Sequence, residues 1–431
     1  MTATITRTNS GGSSGTKWTR SLWVKRGALG ATQTLCAAGS YLTFVSTDYL
    51  EVLDSAGVGM LVTNRKFRDP SAWYHFVLTY DSTAGSSDRL ILYVNGVRET
   101  SFSTNNQPAL NQVDTATNNG QVQYIGTRTG SNYYFLGEMS HVHFTDGYAY
   151  PASTFGETDA TDGMWKINTS PTVTYGTNGF FLKMEDSTNL DLDSGTNGFT
   201  NFVTSGTGTS TKDNPSNNFS TLNPLDNFYF NGTFSNGNNT TLSHTTTYAM
   251  ITSTLAASSG KYYVEAKLSG GHAQAKFGIT CRPARATSEV MTFSGSSQYT
   301  GSDGNLQLDG SVTAGWGSTW GIGDIVACAL DLDNNRIYFS VNGVWQSSGN
   351  PSAGTGYETI ISAASTTTGV YLFSWNDNHT SIASTMQYNF GNGYFGTTAI
   401  TSAGTNASGN GTFEYDVPTG FTALSTKGLN T

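Results

Sequence analysis

Tryptophans beside short polar side chains are the residues of this sequence best suited to contact a ligand. Gly315-Trp-Gly-Ser-Thr-Trp320 places two indoles among glycines, and Trp345 follows a predicted hairpin turn. Trp375-Asn-Asp-Asn-His379 adds a fourth ring beside an amide and a carboxylate. Aromatic faces stack on sugar C–H groups, and polar side chains bond sugar hydroxyls. Core packing is the alternative for each ring, and Trp320 and Trp375 are the two expected to be exposed. The candidate glycan- or receptor-binding residues are Trp316, Trp320, Trp345, Trp375, Asn376 and Asp377.

Sequence patterns that would indicate catalysis are weaker than those that indicate ligand binding. Retaining glycoside hydrolysis needs two carboxyl groups ~5–5.5 Å apart, and no two glutamates are close enough in sequence to share a strand. No Gly-x-Ser-x-Gly motif stands at a strand-to-helix turn. Glu265 alternates with Lys267 on the outward face of a predicted strand, where we expect it to be solvated. His141 and His143 share a strand face and could reach a metal, but an ordinary polar face is the favoured interpretation. We predict that the protein is not an enzyme.

One hairpin motif occurs twice in the sequence, and it indicates the kind of domain that positions the candidate residues. Val-Asn-Gly-Val occurs at Val94–Val97 and again at Val341–Val344, each time at the end of an alternating strand. Asn-Gly between such strands is a strong hairpin signal, because both turn positions need a positive φ. The preceding strands, Phe76–Asp81 and Val326–Asp331, also correspond. The repeat predicts two sandwich domains of related architecture.

Composition supports an all-β fold and excludes two classes of partner. Among 431 residues, 12% are charged, 12% are aromatic and 50 are glycine, so turn and strand formers dominate. The net charge is −9 and no Lys/Arg run occurs, which argues against nucleic acid. No apolar run approaches the ~20 residues of a membrane helix, so no membrane insertion is predicted. The polar start of the chain lacks signal-peptide character, which favours synthesis in a cytoplasm.

Patterning along the chain predicts two domains and a connector. Tyr262, Val264, Ala266 and Leu268 fall on one face of a predicted strand. Residues 188–222 are rich in Asn, Ser, Thr and Gly, yet they include apolar side chains that could anchor them to a surface. The predicted organisation is a β-sandwich over residues 1–187, a connector over 188–222 and a second β-sandwich over 223–431.

Longer segments resemble known families. Trp18–Lys25, Asp69–Phe76 and Tyr93–Gly96 resemble laminin-G-like, concanavalin A-type jelly-roll domains, in the version found in structural proteins of marine bacteriophages. Gly260–Glu265, Phe277–Thr280, Asp324–Val344 and Tyr388–Gly391 resemble a SPRY domain. Residues 213–225 resemble the connector that such phage proteins carry between the two modules. The resemblance implies two concanavalin A-like sandwiches in tandem, and both modules are general binding scaffolds.

This resemblance implies calcium as the one cofactor to consider. Many laminin-G-like domains bind it through loop carboxylates and carbonyl oxygens, which suit a hard cation. Here Asp81 and Asp88 flank the loop before the first repeated hairpin, and Asp146 follows the strand that contains His143. These three aspartates are the candidate ligands.

The resemblance also implies a role in a virion. We expect a tail-fibre or appendage subunit on the virion surface that presents lectin-like modules to a host-cell glycan or receptor. Other virion proteins are expected partners, and a homotrimer is expected by analogy with fibres, although the sequence has no heptad stalk. The alternatives are a capsid decoration or tail-nozzle protein that binds neighbouring subunits and, disfavoured, a carbohydrate-active enzyme.

Overall fold

Strands make up nearly all the regular structure, which confirms the predicted all-β fold class. The computed structural model describes residues 3–226, 232–245, 248–272, 274–283, 293–377, 379 and 381–430. The chain forms two compact units, Met1–Ser210 and Thr211–Thr431. In the described residues the α-helix is a single turn, Thr426–Leu429, and none of the helices there has the length and apolar character needed to cross a membrane.

The first unit contains sixteen strands and two short 3-10 helices. The 3-10 helices are Thr115–Thr117 and Ala152–Thr154. The strands are β1 (Thr4–Thr8), β2 (Lys17–Arg26), β3 (Gln33–Ala38), β4 (Ser40–Phe44), β5 (Tyr49–Leu53), β6 (Gly59–Lys66), β7 (Trp73–Asp81), β8 (Leu90–Val94), β9 (Val97–Arg98), β10 (Phe102–Asn105), β11 (Val122–Ile125), β12 (Gly137–Asp146), β13 (Gly156–Thr158), β14 (Trp165–Ile167), β15 (Phe180–Leu182) and β16 (Val203–Ser205).

Two antiparallel sheets of this unit enclose a hydrophobic core. One sheet has the order β10-β6-β5-β4-β3-β11-β1-β16, and the other has the order β15-β12-β2-β7-β8-β9. Trp18, Leu22 and Val24 of β2 alternate into the core, as a period-two strand requires. Arg26 shares this inward face and is fully buried; it pairs with Asp48 at 3.0 Å. Since an unpaired buried charge is very costly, the ion pair makes this position tolerable.

The outer face of the six-stranded sheet is covered as well. Val77 of β7 points away from the main core and packs against Ala152 and Phe155 from the segment after β12. Trp165, in the two-stranded sheet β13-β14, packs on the same cluster. The central strands of this sheet are therefore buried on both faces.

The residues predicted to form a connector are divided between the two units. Residues 188–210 belong to the first unit, where β16 pairs with β1 and Phe202 joins the core. Arg7 fixes this segment, because its guanidinium lies 3.3 Å from the ring centre of Phe199 and donates to Asn201 at 3.1 Å. Residues 211–222 belong to the second unit, and Leu222 lies in its core. The predicted domain limits themselves stay a prediction.

The second unit contains seventeen strands among its described residues and the 3-10 helix Ala363–Ser365. The strands are β17 (Thr233–Ser235), β18 (Thr240–Leu242), β19 (Ala249–Thr252), β20 (Lys261–Gly270), β21 (Ala275–Thr280), β22 (Ser296–Thr300), β23 (Leu306–Leu308), β24 (Ser311–Thr313), β25 (Ile325–Asp331), β26 (Arg336–Val341), β27 (Val344–Trp345), β28 (Glu358–Thr359), β29 (Leu372–Asp377), β30 (Thr385–Asn389), β31 (Tyr394–Phe395), β32 (Thr398–Ala399) and β33 (Thr422–Ala423).

These strands form a second sandwich. A nine-stranded sheet has the main order β17-β18-β30-β20-β25-β26-β27, with β28 beside β26 and β33 beside β20. The opposing sheet has the order β19-β29-β21-β22-β23-β24. Tyr262, Val264, Ala266 and Leu268 all enter the core between the sheets, which confirms the predicted alternation of β20.

The outer face of the nine-stranded sheet is also buried, which the alternation pattern did not predict. Phe413, Val417 and Phe421, from the last part of the unit, pack against Tyr263 of β20 and Tyr338 of β26. The parallel pairing of β33 with β20 holds this segment in place. Tyr338 faces away from the inner core and is nevertheless buried, because this distant segment covers the strand.

The repeated Val-Asn-Gly-Val motif forms the same hairpin in both units. Val94 pairs with Val97 across the turn in the first unit, and Val341 pairs with Val344 in the second. The turn asparagine has φ 48° in both copies and the turn glycine has φ 78°. Each copy also has an aromatic ring on the glycine: Trp165 covers Gly96, and Tyr415 covers Gly343. Glycine is required for the backbone conformation and for this close approach.

Replacing Gly96, the turn glycine covered by Trp165, with alanine should destabilise the first unit. The loss should be larger than the unfavourable backbone conformation alone explains. A Cβ on Gly96 would lie 2.3 Å from the Trp165 ring. A Cβ on Gly120, at φ +75°, would meet nothing within 4 Å. We expect Gly120→Ala to cost about 1 kcal/mol of unfolding free energy and Gly96→Ala about 3 kcal/mol. Urea unfolding of the full chain measures both, and equal losses would contradict the capping role of Trp165.

Candidate functional site

The outer face of the six-stranded sheet in the second unit carries a row of hydrogen-bonding side chains. Phe277 and Ile279 of β21 point into the core, so the alternating residue Lys276 points outward. The antiparallel registers of the neighbouring strands place further polar residues beside it. We call this surface the polar face and define it by Lys276, Gln298, Thr300, Gln307, Ser374 and Asn376.

Two amides of the polar face have hydrogen-bonding atoms without a partner. Gln298 donates through Nε2 to the Ile279 carbonyl at 3.0 Å and to Ser374 Oγ at 2.9 Å. Its Oε1 is buried and bonds to nothing within the described part of the chain. Asn376 is 0% exposed, and neither Nδ2 nor Oδ1 has a partner there. An unsatisfied buried polar group costs about 1–3 kcal/mol, so these amides are destabilising unless something else bonds them.

A cleft of about 250 Å³ adjoins the polar face and shares three of its residues. Within it, Lys276 Nζ donates to Gln307 Oε1 at 3.2 Å. Burial lowers the pKa of Lys276, and the charge of Asp303 acts in the opposite direction. The lining residues are Gln274, Lys276, Thr300, Ser302, Asp303, Asn305, Gln307 and Val312. All but Val312 are polar, so the cleft suits a ligand that bonds through many hydroxyl, amide or charged groups.

The predicted exposure of Trp320 and Trp375 is wrong. Their exposed fractions are 2% and 0%, and both rings lie in the core of the second unit. Trp375 belongs to β29, not to a loop, and pairs with Phe277 so that both point inward. The alternation of that strand turns Asn376 to the polar face. Asp377 is buried as well and accepts from Ser243 Oγ at 2.6 Å.

The other two predicted tryptophans lie elsewhere and are half-buried. Trp316 packs against the core, and its Nε1 donates to Glu358 Oε1 at 2.6 Å. Trp345 packs edge-on against Tyr263 and Tyr338. Of the six residues predicted to bind a glycan, Asn376 is the one on the polar face. Binding by the other five stays a prediction.

Sequence reasoning missed Lys276, Gln298 and Gln307. The signal that could have found them was weak, because it consisted only of polar residues alternating with Phe277, Tyr299 and Leu306. Since the three residues lie on three different strands, only the register brings them together.

The three candidate calcium ligands each have a protein partner. Asp81 pairs with Lys17 at 2.8 Å, and Asp88 pairs with Arg98 at 2.7 Å. Asp146 is 2% exposed and accepts from the backbone and side-chain nitrogens of Asn178 at 3.1 and 2.8 Å. Within the described ranges, no group of three or more His, Cys, Asp or Glu side chains could hold a metal ion. Calcium binding stays a prediction that gains no support from this geometry.

The predicted histidine pair is buried. His141 and His143 are 5% and 2% exposed, and both rings pack against Phe181. Nδ1 of His143 lies 3.0 Å from the hydroxyl of Tyr175, and Nδ1 of His141 lies 2.7 Å from Ser140 Oγ. Burial lowers the pKa of both imidazoles, so both are neutral packing groups of the covered sheet.

A serine–histidine contact that the sequence did not indicate occurs in the first unit. His75 Nε2 lies 2.8 Å from Ser21 Oγ, while His75 Nδ1 accepts from Trp165 Nε1 at 2.9 Å. With Nδ1 accepting, the neutral ring carries its proton on Nε2 and donates to Ser21. It therefore cannot take the serine proton, as a nucleophilic mechanism requires. Burial lowers the pKa of His75 to about 3, so the neutral form persists.

Glu265 lies on the outward face of β20 as predicted, but its predicted solvation is wrong. It is 0% exposed because the segment that covers the nine-stranded sheet lies over it. Its carboxylate accepts from the backbone N–H groups of Glu414 and Tyr415 at 2.9 and 2.8 Å. Asn389 Nδ2 and the Tyr263 hydroxyl complete the contacts at 3.1 and 3.0 Å. These bonds join β20 to the segment that covers it, and we call this set of contacts the Glu265 clasp.

The Glu265 clasp should make the stability of the second unit pH-dependent. Desolvation raises the pKa of Glu265 from 4.5 to about 7, although its four donors oppose the rise. A raised folded-state pKa gives stability that is present below the unfolded value and is lost as the pH rises through 7. Between pH 4.5 and 8, we expect the wild type to lose up to about 3 kcal/mol more than Glu265→Gln.

Denaturant unfolding of the two full chains across this pH range measures the difference. The comparison cancels titrations that both proteins share. A wild type that gains stability relative to Glu265→Gln as the pH rises would contradict the assignment.

Comparisons with known proteins agree with the first unit's architecture. Residues 2–153 match the family described as the concanavalin A-like lectin/glucanases superfamily, which supports the predicted laminin-G-like character of this part of the chain. No curated protein matches the sequence.

Several solved structures are similar to parts of the chain. The SPRY domain of human HERC1 is 14% identical, with a TM-score of 0.31 over 39% of this chain and 96% of that one. A SAP-like pentraxin from Limulus polyphemus is 13% identical, with a TM-score of 0.27 over 42% and 94%. A putative carbohydrate binding protein from Bacteroides ovatus is 22% identical, with a TM-score of 0.34 over 49% and 58%. These TM-scores are too low to assign a function to either unit.

Proposed function

We propose that this protein is a lectin-like binding protein that holds a glycan on the polar face of its second unit. The observation that carries the proposal is the amide of Asn376, which is buried and without a partner among the described residues. Other buried polar atoms also lack a partner within the described structure, but Asn376 lacks one at both ends of its amide, and burying an unbonded polar group is costly. The match of residues 2–153 to a superfamily of lectins and glucanases is consistent with a sugar-binding role.

The chemistry of the polar face suits sugar hydroxyls. An amide offers two donor hydrogens on nitrogen and an acceptor oxygen, and a sugar hydroxyl both donates and accepts. Asn376 and the free Oε1 of Gln298 are both buried, so a glycan reaches them only when the side chains over them move aside. Neighbouring hydroxyls would then satisfy both amides. Lys276, beside Asn376 in the register, adds donors. The glycan would be held without covalent chemistry, so binding without turnover is the mechanism we propose.

The setting we propose is the surface of a phage virion, with this chain as a tail-fibre or appendage subunit that binds a host-cell glycan. The support is the resemblance of the two modules and their connecting residues to such proteins. Several copies on one particle would strengthen weak single contacts by raising the effective concentration. Homotrimerisation and attachment to other virion proteins belong to this proposal.

A capsid decoration or tail-nozzle protein is the second candidate. The observation that favours it is the pair of exposed edge strands β16 and β24, on which Val203 and Val312 are 60% and 61% exposed. Exposed apolar edge strands are surfaces on which neighbouring chains can pair. In that case the partner is another subunit and the polar face need not bind a sugar.

Replacing Asn376 with leucine separates a binding role from a structural role. Leucine has a similar size and no polar atoms, so it removes the unpartnered amide. We expect the unfolding free energy to stay equal or to rise by about 1 kcal/mol, while glycan affinity falls at least about tenfold. A glycan array followed by calorimetric titration of the full chain measures affinity, and denaturant unfolding measures stability.

Asn64→Leu is the matched control, since Asn64 is exposed in the first unit and bonds Ser101 at 3.1 Å. It should leave glycan binding unchanged. A large loss of stability in Asn376→Leu with unchanged binding would assign Asn376 to packing. A wild type that binds no glycan but assembles with other virion subunits would favour the second candidate.

A further inference from the structure

The charged groups of the cleft beside the polar face are not equivalent. Among its lining residues, Lys276 is the cation and Asp303 is the anion. Asp303 is already bonded: its Oδ1 accepts from the backbone N–H of Asn305 at 3.1 Å, and its Oδ2 accepts from Asn305 Nδ2 at 2.8 Å. Both carboxylate oxygens of Asp303 are therefore engaged by Asn305, although its charge still acts on Lys276.

Lys276 has donors to spare. Its ammonium carries three N–H groups and donates to one acceptor in the described structure, Gln307 Oε1. Because that oxygen is engaged, the Gln307 amide turns its Nε2 donors away from the lysine. The hydroxyls of Thr300 and Ser302 line the same cleft. The spare N–H groups of Lys276 and these two hydroxyls would all be satisfied by one ligand group that accepts several hydrogen bonds.

Charge favours an anionic acceptor over a neutral one. Burial disfavours the charged form of Lys276, and a ligand anion would offset that penalty. Hydrogen bonds between charged partners are about twice as strong as neutral ones. The whole chain carries a net charge of −9, so general attraction of anions is not expected, and any preference for them must be local.

We infer that the cleft binds the anionic group, carboxylate or sulfate, of an acidic sugar within the glycan held by the polar face, with Lys276 as the residue that determines specificity. This inference rests on the proposed function. Lys276 and Gln307 would contact the anion, while Asn376 and Gln298 would bond hydroxyls of the same oligosaccharide.

Matched oligosaccharides test the inference. Oligogalacturonates are compared with their carboxyl-reduced counterparts, and sulfated galactan oligosaccharides with their desulfated counterparts, by calorimetric titration of the full chain. We expect one acidic series to bind at least about tenfold more tightly than its neutral counterpart. The series that does so distinguishes carboxylate from sulfate.

Two variants assign the preference to the cleft. Lys276→Met keeps the apolar stem and should abolish the difference between acidic and neutral forms. Gln307→Glu places a carboxylate beside the ammonium and should have the same effect, which keeps the test decisive if Lys276→Met does not fold. Lys267→Met, on the other sheet, is the matched control and should keep the preference.

The outcomes separate the inference from the proposed function. Neutral forms that bind as tightly as acidic ones, or a preference that survives in both cleft variants, would overturn the inference and leave glycan binding standing. If no oligosaccharide of either series and no member of the glycan array binds, the proposed function falls, and the inference falls with it.

Discussion

Burial of one sheet on both faces is the constraint on which each unit depends. In both units the sheet that carries the Val-Asn-Gly-Val hairpin packs its inner face on the core and its outer face under a later segment of the chain. The outer face of such a sheet must therefore accommodate polar residues without water. His75 does so as a neutral ring bonded at both nitrogens. Glu265 does so by accepting four hydrogen bonds. Buried polar groups are tolerated when they are bonded in this way, and these two explain why strongly perturbed side chains here do not signal catalysis.

The polar face of the second unit differs from the sites of His75 and Glu265 in one respect: its amides are not satisfied. Asn376 and Gln298 are as buried as Glu265, yet they keep free donor and acceptor atoms. These unmade hydrogen bonds, rather than burial or an altered pKa, are the reason to consider the two amides for ligand binding.

Sequence reasoning succeeded where the deciding interactions are local. The two hairpins were predictable because Asn-Gly turns determine their own backbone conformation, and the inner face of β20 followed from strict alternation. It failed where a distant segment decides. Alternation gives the two faces of a strand but not what covers the second one, so Glu265 was expected in solvent. Trp375 was expected to be exposed because its polar neighbours hid a strand. Asn376 was a candidate because it follows Trp375, but its neighbours on the polar face could not be named from the sequence. They depend on a strand register that no short motif encodes.

The contacts that bury Glu265 also constrain the order in which the second unit can fold during synthesis. β20 is made early in the second unit, whereas the residues that cover it, Phe413 to Phe421 and β33, follow roughly 150 residues later in the chain. At ribosomal rates of about 5–20 residues per second, that interval is on the order of ten seconds. Until it has passed, the residues that bury Glu265 and Tyr263 have not been made, so both side chains stay uncovered. The second unit therefore cannot close before β33 is made, and during those seconds its unpaired strands depend on not meeting another nascent chain.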